Sequence, residues 1–215
     1  DYTTQFRGDE NLFPSWKYPF GTDKLGRNLL TRTMYGTRVS LTVGIFASFI
    51  VLVIGTIYGS ISGYFGGKVD MVMMRIADII YSIPDVLVII LLSLGIQKPI
   101  MDWVNNSGSN FAMSVAKMGA PLISIFIAFG LLYWVSMARI IRGEVLTLKQ
   151  QEFIMAVKAL GGSDKRIIIK HLYPNCIGQI IVMTAMQIPS AIFLESFLSF
   201  LGIGVSAPMT SLGAL

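Results

Sequence analysis

Four apolar runs long enough to cross a bilayer constrain this chain most. A helix needs roughly 20 apolar residues to span the hydrocarbon. The first run, LTVGIFASFIVLVIGTIYGSISGYF from Leu41 to Phe65, lies in a stretch with no charge between Arg38 and Lys68. The second extends from about Met71 to Ile96 and carries Arg75, Asp78 and Asp85. The third is APLISIFIAFGLLYWVSMA, Ala120 to Ala138. The fourth, Cys176 to Gly204, contains Glu195 and is expected to break at Pro189. The number and length of these runs argue against one soluble core. The alternating strands of a membrane barrel are absent. The expected fold is all-α and polytopic.

Composition agrees. Charged residues make up 13% of the 215 residues, against about 25% in ordinary soluble chains. The net charge of +5 suits anionic headgroups. No basic cluster interleaved with aromatics suggests nucleic acid. A lone Cys176 rules out an intrachain disulfide and a Cys-rich metal site. The chain begins at Asp1 and stops at Leu215 in a loop-like stretch, so it reads as part of a longer protein.

The connectors differ in kind. Residues 1–40 are polar, and Leu25, Leu29 and Met34 share one face of an expected interfacial helix. Residues 97–119 read as a Gly/Ser/Asn-bearing loop. Residues 139–175 are basic. Four crossings leave eight Lys and Arg on one side and nine on the other, so charge alone does not orient the chain.

The stretch EFIMAVKALGGSDKRIIIKHLYPN, Glu152 to Asn175, reads as helix, turn, helix. Phe153, Ile154, Val157 and Leu160 recur at helical spacing. Gly161 and Gly162 end the first helix, because glycine tolerates the left-handed cap. Ser163 caps the second helix. Ile167, Ile168 and Leu172 give it an apolar side, and Pro174 is expected to stop it. Both helices are too short to span and too apolar to float in water. They need lipid headgroups, their own membrane helices or another protein.

This stretch resembles the cytoplasmic coupling loop, the EAA loop, of bacterial ABC importer permeases. In the peptide-importer branch the pattern is near E-[YF]-[VI]-x-A-A-[RK]-A-x-G-x-S-x-x-R-I-x-x-[RK]-H-[IL]-L-P-N. The chain supplies Glu152, Phe153, Ile154, Ala156, Lys158, Ala159, Gly161, Ser163, Arg166, Ile167, Lys170, His171, Leu172, Pro174 and Asn175 in register. It departs at Val157, which holds the second Ala position, at Tyr173, where the pattern has Leu, and, against the family's general Glu-Ala-Ala motif, at Met155, where that motif has Glu. The segments Phe20–Leu41, Gly63–Pro84 and Glu195–Val205 also resemble the family, so the likeness covers nearly the whole chain.

The resemblance implies a type I, MetI-like permease core with four of its six membrane helices present. It implies an extracytoplasmic segment over 1–40 and a permease domain over 41–215, with a cytoplasmic coupling loop at 142–175. It implies a C-type subunit that passes peptides, with nickel or another small solute as the alternative cargo. The implied partners are a homologous second permease, two ATP-binding subunits, an extracytoplasmic binding protein and membrane lipid. Nothing implies nucleic acid. The implied location is the bacterial inner membrane.

The coupling-loop residues would be Glu152, Phe153, Ala156, Val157, Ala159, Gly161, Ser163, Arg166, His171, Pro174 and Asn175. Apolar side chains would anchor the loop in a groove of the ATPase, and Lys158, Lys165, Arg166 and Lys170 would set its orientation. Glu152 and Asn175 either brace the helix ends or lie in solvent.

The chain itself is expected to bind no cofactor, ATP and Mg belonging to the partner subunits. The nearest phosphate-loop match, SGYFGGKV from Ser62 to Val69, lacks the first Gly and the metal-binding hydroxyl, and reads as a helix end. No nucleophile–base trio suggests an enzyme. His171 has no ligand partner nearby.

Gly55, Gly59 and Gly63 recur at four-residue spacing. They mark a packing seam, within the subunit or against a partner, or only the glycine enrichment of membrane helices. Asp85 and Glu195 are the candidate lining of a substrate route, while Glu195 equally reads as a hydrogen-bonding partner of another helix or as a residue near the outer interface. In an ion-driven secondary transporter, the competing class, the same two residues and Pro189 would be coupling sites, but no inverted repeat is evident. An intramembrane enzyme is disfavoured by the lack of a catalytic constellation.

Overall fold

The computed structural model describes residues 1–109, 112–113, 119–205 and 209–215. Its helices are α1 (Leu29–Phe65), α2 (Gly67–Tyr81), α3 (Asp85–Ser107), α4 (Ala120–Leu132), α5 (Trp134–Leu148), α6 (Glu152–Ala159), α7 (Asp164–Arg166) and α8 (Tyr173–Phe200). A π-helical segment, Ile167–Leu172, links α7 to α8. Among the described residues, four helical stretches are long and apolar enough to cross a membrane: Leu29–Phe65, Asp85–Ser107, Pro121–Leu148 and Asp164–Phe200.

Three boundaries differ from expectation. No separate interfacial helix precedes the first span. Leu29 and Met34 belong to α1, and Leu25 sits in the turn before it. Asn28 starts α1 by accepting the Leu30 N–H at 3.0 Å. Thr33, Thr37 and Thr42 then donate to carbonyls four residues back, which satisfies their hydroxyls within the helix.

The run Met71–Ile96 is not one span. Pro84 disfavours helix at the residue before it, so the chain breaks at Ser82–Pro84. The crossing is α3, which continues to Ser107 through much of the expected loop 97–119. Other residues of that loop lie outside the described residues.

Neither Pro189 of the fourth run nor Pro174 before it ends a helix. Pro189 lies within α8, and Pro174 is its second residue. A proline ring clashes with the carbonyl four residues back in a regular α-helix. The π turn widens the spiral just before Pro174, and Tyr173 N–H donates to the Ile168 carbonyl, five residues back.

The chain forms two compact units, residues 1–45, 93–125 and 190–215, and residues 46–92 and 126–189. In the first, Asp23 accepts from the Leu25 and Arg27 amides, pairs with the Arg27 guanidinium at 2.7 Å and lies 3.6 Å from that of Arg32. Arg32 also donates to Thr210 Oγ1 at 3.4 Å. Around these contacts the polar N-terminal segment becomes ordered.

The second unit packs α1 on α5 through the glycine seam. A Cβ on Gly55 would meet Met137 Cβ at 2.6 Å, and one on Gly63 would meet the Arg142 carbonyl at 2.8 Å. One on Gly59 would strike the Ala138 carbonyl. The contacts advance together along both helices, so α1 and α5 run parallel. The seam is therefore internal to the subunit. Ala77, Trp134, Val135 and Ala138 form the adjoining core, flanked by Ile54, Tyr58, Met74 and Ile80.

Candidate coupling elbow and route cavity

The elbow is α6, its glycine turn and α7. Helix α6 ends in a left-handed cap: Gly161 has φ +78°, Gly162 N–H donates to the Val157 carbonyl, and Gly161 N–H to that of Lys158. Gly161 is required for its backbone angle, since a Cβ there would meet open space. Gly162 is required for room, because its Cβ would lie 2.7 Å from Val157 Cγ1. Sequence reasoning named both as the end of the helix, for backbone freedom alone. Ser163 Oγ accepts the Arg166 N–H at 3.4 Å and starts α7.

The expected apolar stripe divides between two directions. Ile154 is buried and Val157 half-buried, while Phe153 and Leu160 face outward with Met155. Leu160 is 89% exposed, an unusual exposure for a large aliphatic side chain. Glu152, Ala156 and Ala159 are exposed with them. On the following helical stretch, Ile167 and Leu172 are buried, and His171 is half-buried. Arg166, Pro174 and Asn175 are exposed. Asn175 Nδ2 donates to the His171 carbonyl at 2.6 Å, a brace where the proline interrupts the ladder.

Tyr64, which the sequence did not single out, holds both ends of the elbow. Its hydroxyl donates to Asp164 Oδ1 at 2.5 Å, and its carbonyl accepts from Lys149 Nζ at 2.5 Å. Asp70, at the start of α2, pairs with Arg142 through both carboxylate oxygens and accepts from Ser62 Oγ at 2.5 Å. The Arg142 guanidinium holds the Asp70 carboxyl below its ordinary range, against the opposing effect of burial, with Ser62 assisting. One turn from the end of α2, Asp78 pairs with Arg139 at 2.7 Å, while Arg75 is exposed.

Asp85 opens α3, where a carboxylate is favoured by the helix dipole. Its Oδ1 accepts the Val86 N–H at 2.8 Å, and its Oδ2 accepts from Tyr133 Oη at 3.0 Å. Asp85 lines an open cavity of about 480 Å³ at the α2–α3 break, with Ser82, Pro84, Tyr133 and Ser136 among its walls. The carboxylate and three hydroxyls give it a polar, cation-tolerant wall.

Glu195 is placed differently. It is fully buried in the first unit. Its carboxylate accepts from Ser40 Oγ at 2.8 Å and Ser199 Oγ at 2.7 Å. Those hydroxyls in turn accept the Leu212 and Val205 amides. The structure makes Glu195 the centre of a clasp on the C-terminal segment.

The helices and their paired polar side chains define a multi-pass α-helical membrane protein. A family model described as "Binding-protein-dependent transport system inner membrane component" matches residues 55–214, and the chain belongs to that family.

The chain is 44% identical over 207 residues to a dipeptide transport system permease protein of Bacillus subtilis, covering 96% of this chain and 58% of the relative. It is 41% identical over 215 residues to an oligopeptide transport system permease protein of the same organism, covering 100% and 63%. An oligopeptide permease of Escherichia coli K12 is 44% identical over 196 residues, covering 91% and 58%. The chain thus spans about three-fifths of the length of these curated relatives.

Proposed function

We propose that the chain is the permease part of an ATP-driven importer that passes peptides delivered by an extracytoplasmic binding protein. It would work in a bacterial inner membrane with a second permease and two ATPase subunits, which carry the ATP and Mg. The observation that carries this reading is the elbow, an exposed apolar helix edge held at both ends by Tyr64. A chain that drives its own transport has no need of such an edge.

In this reading Phe153, Met155 and Leu160 seat in the ATPase, with Ala156, Ala159, Val157 and Glu152 forming the docking helix. Gly161, Ser163, Arg166, His171, Pro174 and Asn175 shape the turn and its return into α8. Movement of the docked helix reaches α1 through Tyr64, and reaches α2 through α5 and the Asp70–Arg142 pair. This is rigid-body coupling through a two-ended strut. Asp85, with Tyr133, offers the carboxylate toward which the amino terminus of a passing peptide is drawn.

The test uses the full-length protein purified from membranes in mild detergent, with and without Gly161→Asp. Recovery of a second permease and an ATPase, with the ATPase lost in the variant, supports the reading. Ion-driven uptake by the lone reconstituted chain overturns it. Asp85→Asn is expected to raise the KM for peptides with a free amino terminus about tenfold, leaving amino-blocked peptides unchanged.

A further inference from the structure

A second cavity lies where α1 meets the π-helical segment. It has a volume of about 300 Å³ and is lined by Thr56, Ile57, Ser60, Ile61, Ile168, Ile169 and Tyr173. Its walls belong to two membrane-length helical stretches, Leu29–Phe65 and Asp164–Phe200. The accessible lining of the groove is almost wholly apolar, and cations stand beyond one end of it. Lys165, Arg166 and Lys170 are exposed and make no ion pair among the described residues.

The spacing joins these observations. Lys165 lies four residues before Ile169 and eight before Tyr173, at most about 6 and 12 Å along the axis, since the intervening π-helical segment rises less per residue than an α-helix. It therefore stands at the polar end of the groove. On the other wall, the turn beyond Ile61 ends α1 at Phe65. The site is an apolar slot with cations at its mouth. A soluble anion would not use the slot, and an uncharged lipid would not use the lysines.

We propose that this groove binds one anionic phospholipid. An acyl chain fills the slot against Ile57, Ile61 and Ile169. Its ester end lies at the mouth of the slot, and the phosphate is held by Lys165 and Lys170. Basic sites at the ends of membrane helices recognise such headgroups. The proposal stands on the membrane placement of these helices and holds for any cargo.

The test is native mass spectrometry of the full-length complex, purified from membranes, delipidated and offered vesicles of phosphatidylglycerol or phosphatidylcholine. The expected result is preferential retention of phosphatidylglycerol. The double variant Lys165→Gln, Lys170→Gln lowers that retention at least about tenfold, since each lysine near an anionic headgroup contributes about fivefold. Lys165→Arg retains it, and Ile57→Trp, which fills the slot from an exposed position, abolishes it.

Equal retention of the two lipids, or retention indifferent to the lysines, overturns the proposal. So does an Ile57→Cys thiol that stays shielded from an apolar maleimide after delipidation, because another polypeptide then covers the groove.

Discussion

The Tyr64 hydroxyl reaches the Asp164 carboxylate at 2.5 Å across 100 residues of sequence. That bond fastens the return of the elbow to the end of α1, while the Tyr64 carbonyl fastens its departure. Tyr64→Phe removes the first tie and keeps the second. A hydrogen bond to a charged group is worth about 1.5–3 kcal/mol. The expected outcome is faster amide exchange over residues 152–166, about tenfold or more, with α2 unchanged. Hydrogen exchange read by mass spectrometry checks this, and an elbow exchanging at the wild-type rate refutes the strut.

The glycine seam gives a sharper contrast. Gly59→Val drives two methyls toward the Ala138 carbonyl and Ile141, in a helix pair with no room to yield. Overpacking of this kind costs about 1–3 kcal/mol, and backbone contact puts this case at the upper end. Gly143 lies in α5 with open space beside it, so Gly143→Ala is expected to be neutral or mildly stabilising through helix propensity. Thermal unfolding in detergent distinguishes the two, and equal melting temperatures would contradict the seam.

How much of this was legible in the residues follows from range. Four-residue glycine spacing, Gly161, the Ser163 cap and the peptide-branch pattern are local signals, and each is visible in the sequence. The break at Ser82–Pro84 had its signal in Pro84, but a long apolar window averaged across it. Pro174 misled in the other direction, because a π turn is set by tertiary packing of Ile167 and Leu172 and has no local signature. Tyr64 was invisible for the same reason: its partners lie 85 and 100 residues away. Glu195 read equally as a route residue and as a hydrogen-bonding partner of another helix, and only the fold, which brings Ser40 to it, decides for the second.

Asp70 makes a pH-dependent contribution whose sign is fixed by its depressed carboxyl. Arg142 and Ser62 stabilise the charged form, so the folded value lies below the unfolded value of about 3.9. The stabilisation is complete above that value and is lost as pH falls through the folded one. Wild type is expected to melt above Asp70→Asn at pH 7 and at pH 5 by the same margin, with the curves converging below about pH 4. Melting curves that stay parallel down to pH 3 would show that the Asp70–Arg142 pair contributes nothing through its charge.

Glu195 separates a clasp from a route. Its carboxylate accepts two serine hydroxyls whose oxygens also receive backbone amides of the C-terminal segment. Glu195→Gln retains one carbonyl acceptor and places an amide donor where a second acceptor stood. Glu195→Ala removes the acceptor from both hydroxyl protons in a buried site, at a cost of about 1–3 kcal/mol for each donor left unsatisfied. The melting temperature is expected to fall in the order wild type, Gln, Ala. Cleavage beside Val205 and Leu212 should appear first in the Ala variant, because the serines that receive their amides are no longer held by the carboxylate. Peptide uptake per folded complex should keep its KM in Glu195→Gln. A raised KM with an unchanged melting temperature would instead place the carboxylate on the route and refute the clasp.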